Sequence, residues 1–141
     1  MIGWRLLSAN GNNKQYTMDH CFFAKVVDEG PSQGFSLPKS SKSYFGIVIH
    51  FRESDALLFV FLKGDIQAGD VVNIDDQGYR PLTADEFQRA FGDQATTVIK
   101  APDIRLEVEQ HGKGQGIVLV DYDDGRSHSS ARVPLQSCLR Q

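Results

Sequence analysis

Residues 44–62 read YFGIVIHFRESDALLFVFL, two apolar runs on either side of the polar break Arg52-Glu53-Ser54-Asp55. Both runs are rich in β-branched and aromatic residues and have the length of strands, so the stretch predicts a β-hairpin buried on both faces. Side chains alternate along a strand. Phe45, Ile47, Ile49 and Phe51 therefore share one face, and Tyr44, Gly46, Val48 and His50 share the other. Symmetric closure of the break is taken to place Leu57, Phe59 and Phe61 with the first set. Leu58, Val60 and Leu62 then fall with the second. The first face is bulky and reads as the main core. The second is smaller, carries a titratable histidine, and has a glycine where the backbone bulges or is closely approached. It is the candidate binding surface, although a helix packed there explains the pattern as well.

The segment before the hairpin, 28–43, is dominated by Gly, Pro and Ser, with Phe35 and Leu37 as apolar anchors. It reads as a long surface loop, of the kind that often carries function. Tyr44, Gly46 and His50, with Phe35 from the loop, make up the candidate ligand-binding set.

Earlier in the chain, residues 3–9 read as a short strand and Asn10-Gly11 as a hairpin turn. Residues 14–27 fit a strand better than a helix, with His20, Phe22 and Ala24 alternating against Cys21, Phe23 and Lys25. After the hairpin, the pattern G-x-I-x-x-G-D-x-V at 64–72 resembles a turn of small β-barrels, among them the second domain of translation elongation factors. The resemblance implies β structure and no function, and no phosphate-binding GxxxxGK[ST] accompanies it. Val71 to Ile74 follows as a short strand. Thr83-Ala84-Asp85-Glu86 has the spacing of a capping box, opening a helix with Phe87, Ala90 and Phe91 on one face and Gly92 at its end. The smaller hairpin face is its expected seat.

The last third reads as a meander. Ile104, Leu106 and Val108 alternate with Arg105, Glu107 and Glu109, which marks a sheet with one wet face. His111 to Gly116 and Asp124-Gly125 are turns. Pro134 has no amide hydrogen, so the last strand is an edge or ends there. The expected fold is one α+β domain over 1–141, mainly antiparallel β in a curved sheet or partly open barrel, with one short helix near 83–91.

At 141 residues the chain is long enough to bury a core, and 40% hydrophobic against 23% charged residues is a globular balance. The net charge of −3 argues against nucleic acid as a partner. No apolar run is long enough for a membrane span, and no secretory leader is recognisable, so reduced cysteines and a cytoplasmic location are expected, with a Cys21–Cys138 bridge tying the two ends together as the alternative for an exported protein. No motif calls for a cofactor or metal. Asp121, Asp123, Asp124 and Gly125 depart from a calcium loop, because the glycine comes a residue early and Arg132 stands where the glutamate belongs. Two functions remain in view. One is a non-enzymatic module that binds a protein or small molecule, open to homodimerisation through strand edges, with an inhibitor or immunity-type partner of a basic protein as a subclass. The other is a small enzyme using Cys21 or His50 in a pocket under the 28–43 loop.

Overall fold

The computed structural model describes residues 14–26, 44–64, 71–73, 79–92 and 94–140. Its strands are β1 (Lys14–Gln15), β2 (Met18–Val26), β3 (Tyr44–Phe51), β4 (Ala56–Gly64), β5 (Val71–Asn73), β6 (Tyr79–Pro81), β7 (Thr96–Ala101), β8 (Ile104–Gly112), β9 (Gln115–Asp123) and β10 (Ser127–Pro134). One helix, α1 (Ala84–Phe91), and a 3-10 turn at Leu135–Cys138 complete the described elements. The strand expected at 3–9, the 28–43 loop and the turns at 65–70 and 75–78 lie outside the described residues.

The strands form two five-stranded sheets, β5-β4-β3-β2-β6 and β1-β10-β9-β8-β7, antiparallel throughout except where β1 runs parallel to β10. Neither sheet closes into a barrel, so the fold is α+β with two open sheets. They share one core. Cys21, Phe23, Ile47, Ile49, Phe51 and Val60 from one sheet meet Ile104, Leu106, Val108, Val118, Val120 and Tyr122 from the other. The regular inward alternation of β8 supplies that second set as the sequence predicts. The Phe51 and Tyr122 rings pack at 5.5 Å across the layer. Each such buried side chain contributes on the order of 2 kcal/mol of transfer free energy.

The hairpin forms over the predicted residues, but β4 faces the opposite way from the sequence reading. Phe51 pairs with Ala56, Ile49 with Leu58, and Ile47 with Val60. A four-residue break pairs odd positions with even ones, so symmetric closure puts Leu58 and Val60, not Leu57 and Phe59, beside Ile47 and Ile49. Phe59 and Phe61 instead join Val48 and Ala24 in a separate buried cluster, flanked by Phe22, Leu57 and Tyr79. The smaller face of β3 is thus completed by the two large rings of β4.

Gly46 is both a bulge neighbour and a site of close approach. The register shifts between Phe45 and Gly46, and a Cβ at 46 would collide with the Phe59 ring and the Val60 carbonyl. The missing side chain is the space that Phe59 occupies.

Helix α1 starts as the sequence specifies. Glu86 N–H donates to Thr83 Oγ1 (3.2 Å), and Thr83 N–H donates to Glu86 Oε1 (3.0 Å). Gly92 ends it at φ 99°, its N–H bonded to the Gln88 carbonyl. Its seat differs from the expectation. Phe87 and Phe91 pack on Phe23 at 4.8 and 5.8 Å, and Phe91 meets Phe45 at 6.3 Å, all on the bulky core face. The aromatic stripe of α1 needs the larger apolar surface, and Phe59 and Phe61 already fill the smaller one.

β10 ends at Pro134, opposite Ile117, and the chain then turns through Leu135–Cys138. Leu82 ties this C-terminal segment to β2. Its N–H donates to the Phe23 carbonyl (3.0 Å), and its own carbonyl accepts from Arg140 N–H (2.7 Å). No helix among the described residues is long and apolar enough to cross a membrane.

Candidate functional site

His50 organises the site. It is the penultimate residue of β3, on the smaller face, directly opposite His20 in β2. Between the Met18–Phe51 and His20–His50 pairings, β2 carries one residue more than β3, and that residue is Asp19. Strict alternation would send Asp19 to the core side with Cys21 and Phe23. The bulge re-aims it, as bulges do, and its Oδ1 lies 2.6 Å from His50 Nδ1.

The other ring nitrogen is also taken. His50 Nε2 is 2.8 Å from Asp55 Oδ1, in the hairpin tip, where Asp55 holds a left-handed φ of 53°. With a carboxylate at each nitrogen the imidazolium is favoured, and the His50 pKa is raised above its ordinary 6.5, chiefly by the Asp19 hydrogen bond and next by Asp55. Asp19 is correspondingly lowered, first by His50 and further by Arg52, whose Nε is 3.6 Å away. With a carboxylate engaged at each ring nitrogen, the ring leaves no nitrogen open to take a proton from a ligand.

The tip is clamped from beneath. Thr17 N–H and Oγ1 donate to the two Glu53 carboxylate oxygens at 2.6 and 2.7 Å, and Arg52 N–H donates to the Thr17 carbonyl. These bonds hold the Glu53 carboxyl below its usual range. The polar break read from sequence is thus tied to the residues just before β2 through Thr17.

A groove of about 720 Å³ opens beside this network. It runs along β2 where β6 stops, since β6 pairs only with Ala24, Lys25 and Val26. Asp19, His20 and Phe22 come from β2, and His50 and Leu57 from the hairpin. Tyr79 and Pro81 come from β6, and Ser137, Leu139 and Arg140 from the C-terminal segment. Phe22 anchors an aromatic row, with His20 edge-on at 5.8 Å and Tyr79 tilted at 5.6 Å. The Arg140 guanidinium has no ion-pair partner among the described residues.

Of the residues singled out from sequence, His50 lines the groove. Gly46 is on the same face but buried beneath Phe59. Tyr44 pairs with Gly64 through its backbone, and its side chain lies outside the description, as does the whole of Phe35. Cys21 and His50 are not brought together. Cys21 pairs with Ile49 and points into the shared core, whereas His50 points to the opposite face.

The residues that sequence reasoning missed are Asp19, Phe22, Tyr79 and Arg140. A single inserted residue moves Asp19, and no compositional signal announces that. Arg140 arrives through the Leu82 bridge, a contact between distant parts of the chain.

The acidic turn shows what its carboxylates do. Asp123 Oδ1 accepts from Gly125 N–H, and Asp124 Oδ1 accepts from the Arg126 and Ser127 amides, all at 2.8–2.9 Å. These are turn-forming bonds. Asp103 nearby is raised by its own burial and then by Asp124 and Asp123. No cluster suited to holding a metal occurs among the described residues. No family model matches the sequence, and comparison with curated proteins and with solved structures returns no match.

Proposed function

We propose that the protein is a non-enzymatic binding module whose ligand occupies the groove between β2, β6, the hairpin residues His50 and Leu57, and the C-terminal segment. The observation that carries this reading is the makeup of the groove. An apolar bed of Phe22, Leu57 and Tyr79 is rimmed by His20, His50 and Arg140. Such a combination of an apolar surface with a few placed polar groups is the usual composition of a ligand site. The Asp19 and Asp55 carboxylates are offset by His50 and Arg52, and Arg140 adds a cationic group at the C-terminal wall of the groove. A molecule or peptide end with an aromatic or aliphatic body and a carboxylate or similar anion complements it.

The test is a titration of the isotope-labelled protein with a panel of aromatic carboxylates, followed by amide correlation spectra. Shifts are expected at Asp19 to Phe22, at His50, Leu57 and Tyr79, and at Ser137 to Arg140, and they weaken in Arg140→Ala. A panel that leaves these amides unmoved, or moves only residues of the β7–β10 sheet, overturns the reading.

A further inference from the structure

The two cysteines, 117 positions apart, converge. Cys21 lies on the inward face of β2 and Cys138 closes the 3-10 turn, both buried within the same core cluster. Cys138 and burial together raise the Cys21 thiol well above its ordinary range. The backbone supports the approach independently, because the Phe23–Leu82–Arg140 bridge fastens β2 and the C-terminal segment two residues beyond each cysteine. The groove's C-terminal wall, Ser137, Leu139 and Arg140, flanks Cys138 on both sides.

We propose that Cys21 and Cys138 are a redox pair that a peroxide converts to an intramolecular disulfide, a covalent latch between β2 and the C-terminal segment. One thiolate attacks a peroxide oxygen, the O–O bond breaks, and a sulfenic acid and water result. The second thiol then attacks the sulfenic sulfur, the S–S bond forms, and the displaced hydroxide leaves as water with the thiol proton. Two thiols and one hydrogen peroxide give one disulfide and two waters. The neighbouring sulfur captures the sulfenic acid before further oxidation. The step is slow, because with the Cys21 thiol so raised its thiolate is scarce. The latch chemistry stands apart from the ligand reading of the groove and fails or succeeds without it.

The test treats the folded full chain with hydrogen peroxide, then unfolds it, alkylates any free thiol and maps peptides without reductant. The expected product is monomeric, lighter by two hydrogen atoms, and yields a joined Cys21–Cys138 peptide. Dithiothreitol restores both thiols. Hydrogen exchange at 135–140 slows in the oxidised form, and the thermal midpoint rises, by about 15 °C where loop closure acts in full. Neither change occurs in Cys138→Ser, or in Cys138→Ala should the serine variant fold poorly. Two alkylated thiols after treatment, separate sulfinic acids, a bond found only between chains, or unchanged exchange at 135–140 would overturn the proposal. The mass readout on the natural chain needs no variant.

Discussion

Asp19 and His50 meet at 2.6 Å because β2 is one residue longer than β3 between their flanking pairs. The contact belongs to the bulge as much as to the two side chains. It predicts that His50 titrates above 6.5, read by the ring proton or nitrogen shifts across a pH series. Asp19→Asn brings that midpoint down. Asp55→Asn lowers it less, because the Asp55 side chain is 92% exposed and its ion pair is screened by water.

The same pair sets a pH window for stability. A raised histidine pKa contributes fully below 6.5 and is lost as pH rises through the folded value. A lowered Asp19 contributes above 3.8 and is lost as pH falls through its folded value. The difference in unfolding free energy between the natural chain and Asp19→Asn is therefore largest between these limits. Denaturant melts at pH 3, 5.5 and 9 show it, and equal differences at all three contradict it.

Glu86 serves both the helix cap and Arg80, whose Nη2 lies 2.8 Å from Oε2. The Arg80 bond leads in holding its carboxyl down at about 2, with Thr83 N–H and Lys25 adding to it. Glu86→Gln keeps a capping-box side chain and loses the charge, with an expected cost of about 1 kcal/mol at pH 7. A lowered carboxyl contributes above 4.5 and loses that contribution as pH falls toward 2, so the two proteins converge in acid. Thr83→Ala costs about 1 kcal/mol with a weaker pH dependence.

Gly46→Ala drives a methyl group into the Phe59 ring and the Val60 carbonyl. The ring can move only by disturbing Phe61, which packs against it at 4.8 Å, and the carbonyl belongs to the β3–β4 ladder. The expected loss is about 2 kcal/mol or more. A paired Phe59→Ala change that recovers part of the loss identifies the ring as the obstacle.

Asp103 works in the opposite direction. Its carboxyl is raised by burial and by Asp124 and Asp123, so ionising it costs stability as pH climbs from 3.8 through the folded value. Asp103→Asn is expected to be the more stable protein at neutral pH, by less than about 1 kcal/mol. The advantage disappears below pH 4, which thermal scans in acid will show.

The hairpin, the meander and the helix were legible in the sequence because each rests on local signals. The apolar runs flanking Arg52–Asp55, the alternation from Ile104 to Glu109, and the Thr83–Glu86 spacing all declare themselves within a few residues. Facing directions were harder. The face of β4 follows once the four residues of the break are counted across the turn, whereas Asp19 escapes any such count because an inserted residue resets it. The helix seat depended on which hairpin face kept room for two phenylalanines, and that followed from the facing of β4. His50 was found because a histidine in an apolar strand stands out. Arg140 was invisible, since nothing near the end of the chain encodes its place, and the Cys21–Cys138 approach was open only as a bridge that export would allow.

The polar connector of the hairpin is solvent-facing, yet its length is among the most constrained quantities in the molecule. Deleting one residue from 52–55 would rotate every β4 side chain by half a turn. The phenylalanine pair would then be driven between the layers, and Leu58 and Val60 would be left on the outside. The contacts of Arg52, Glu53 and Asp55 restrict the chemistry there, and the parity of the count restricts its length, so a change of a single codon in length would exchange the inside of this strand for its outside.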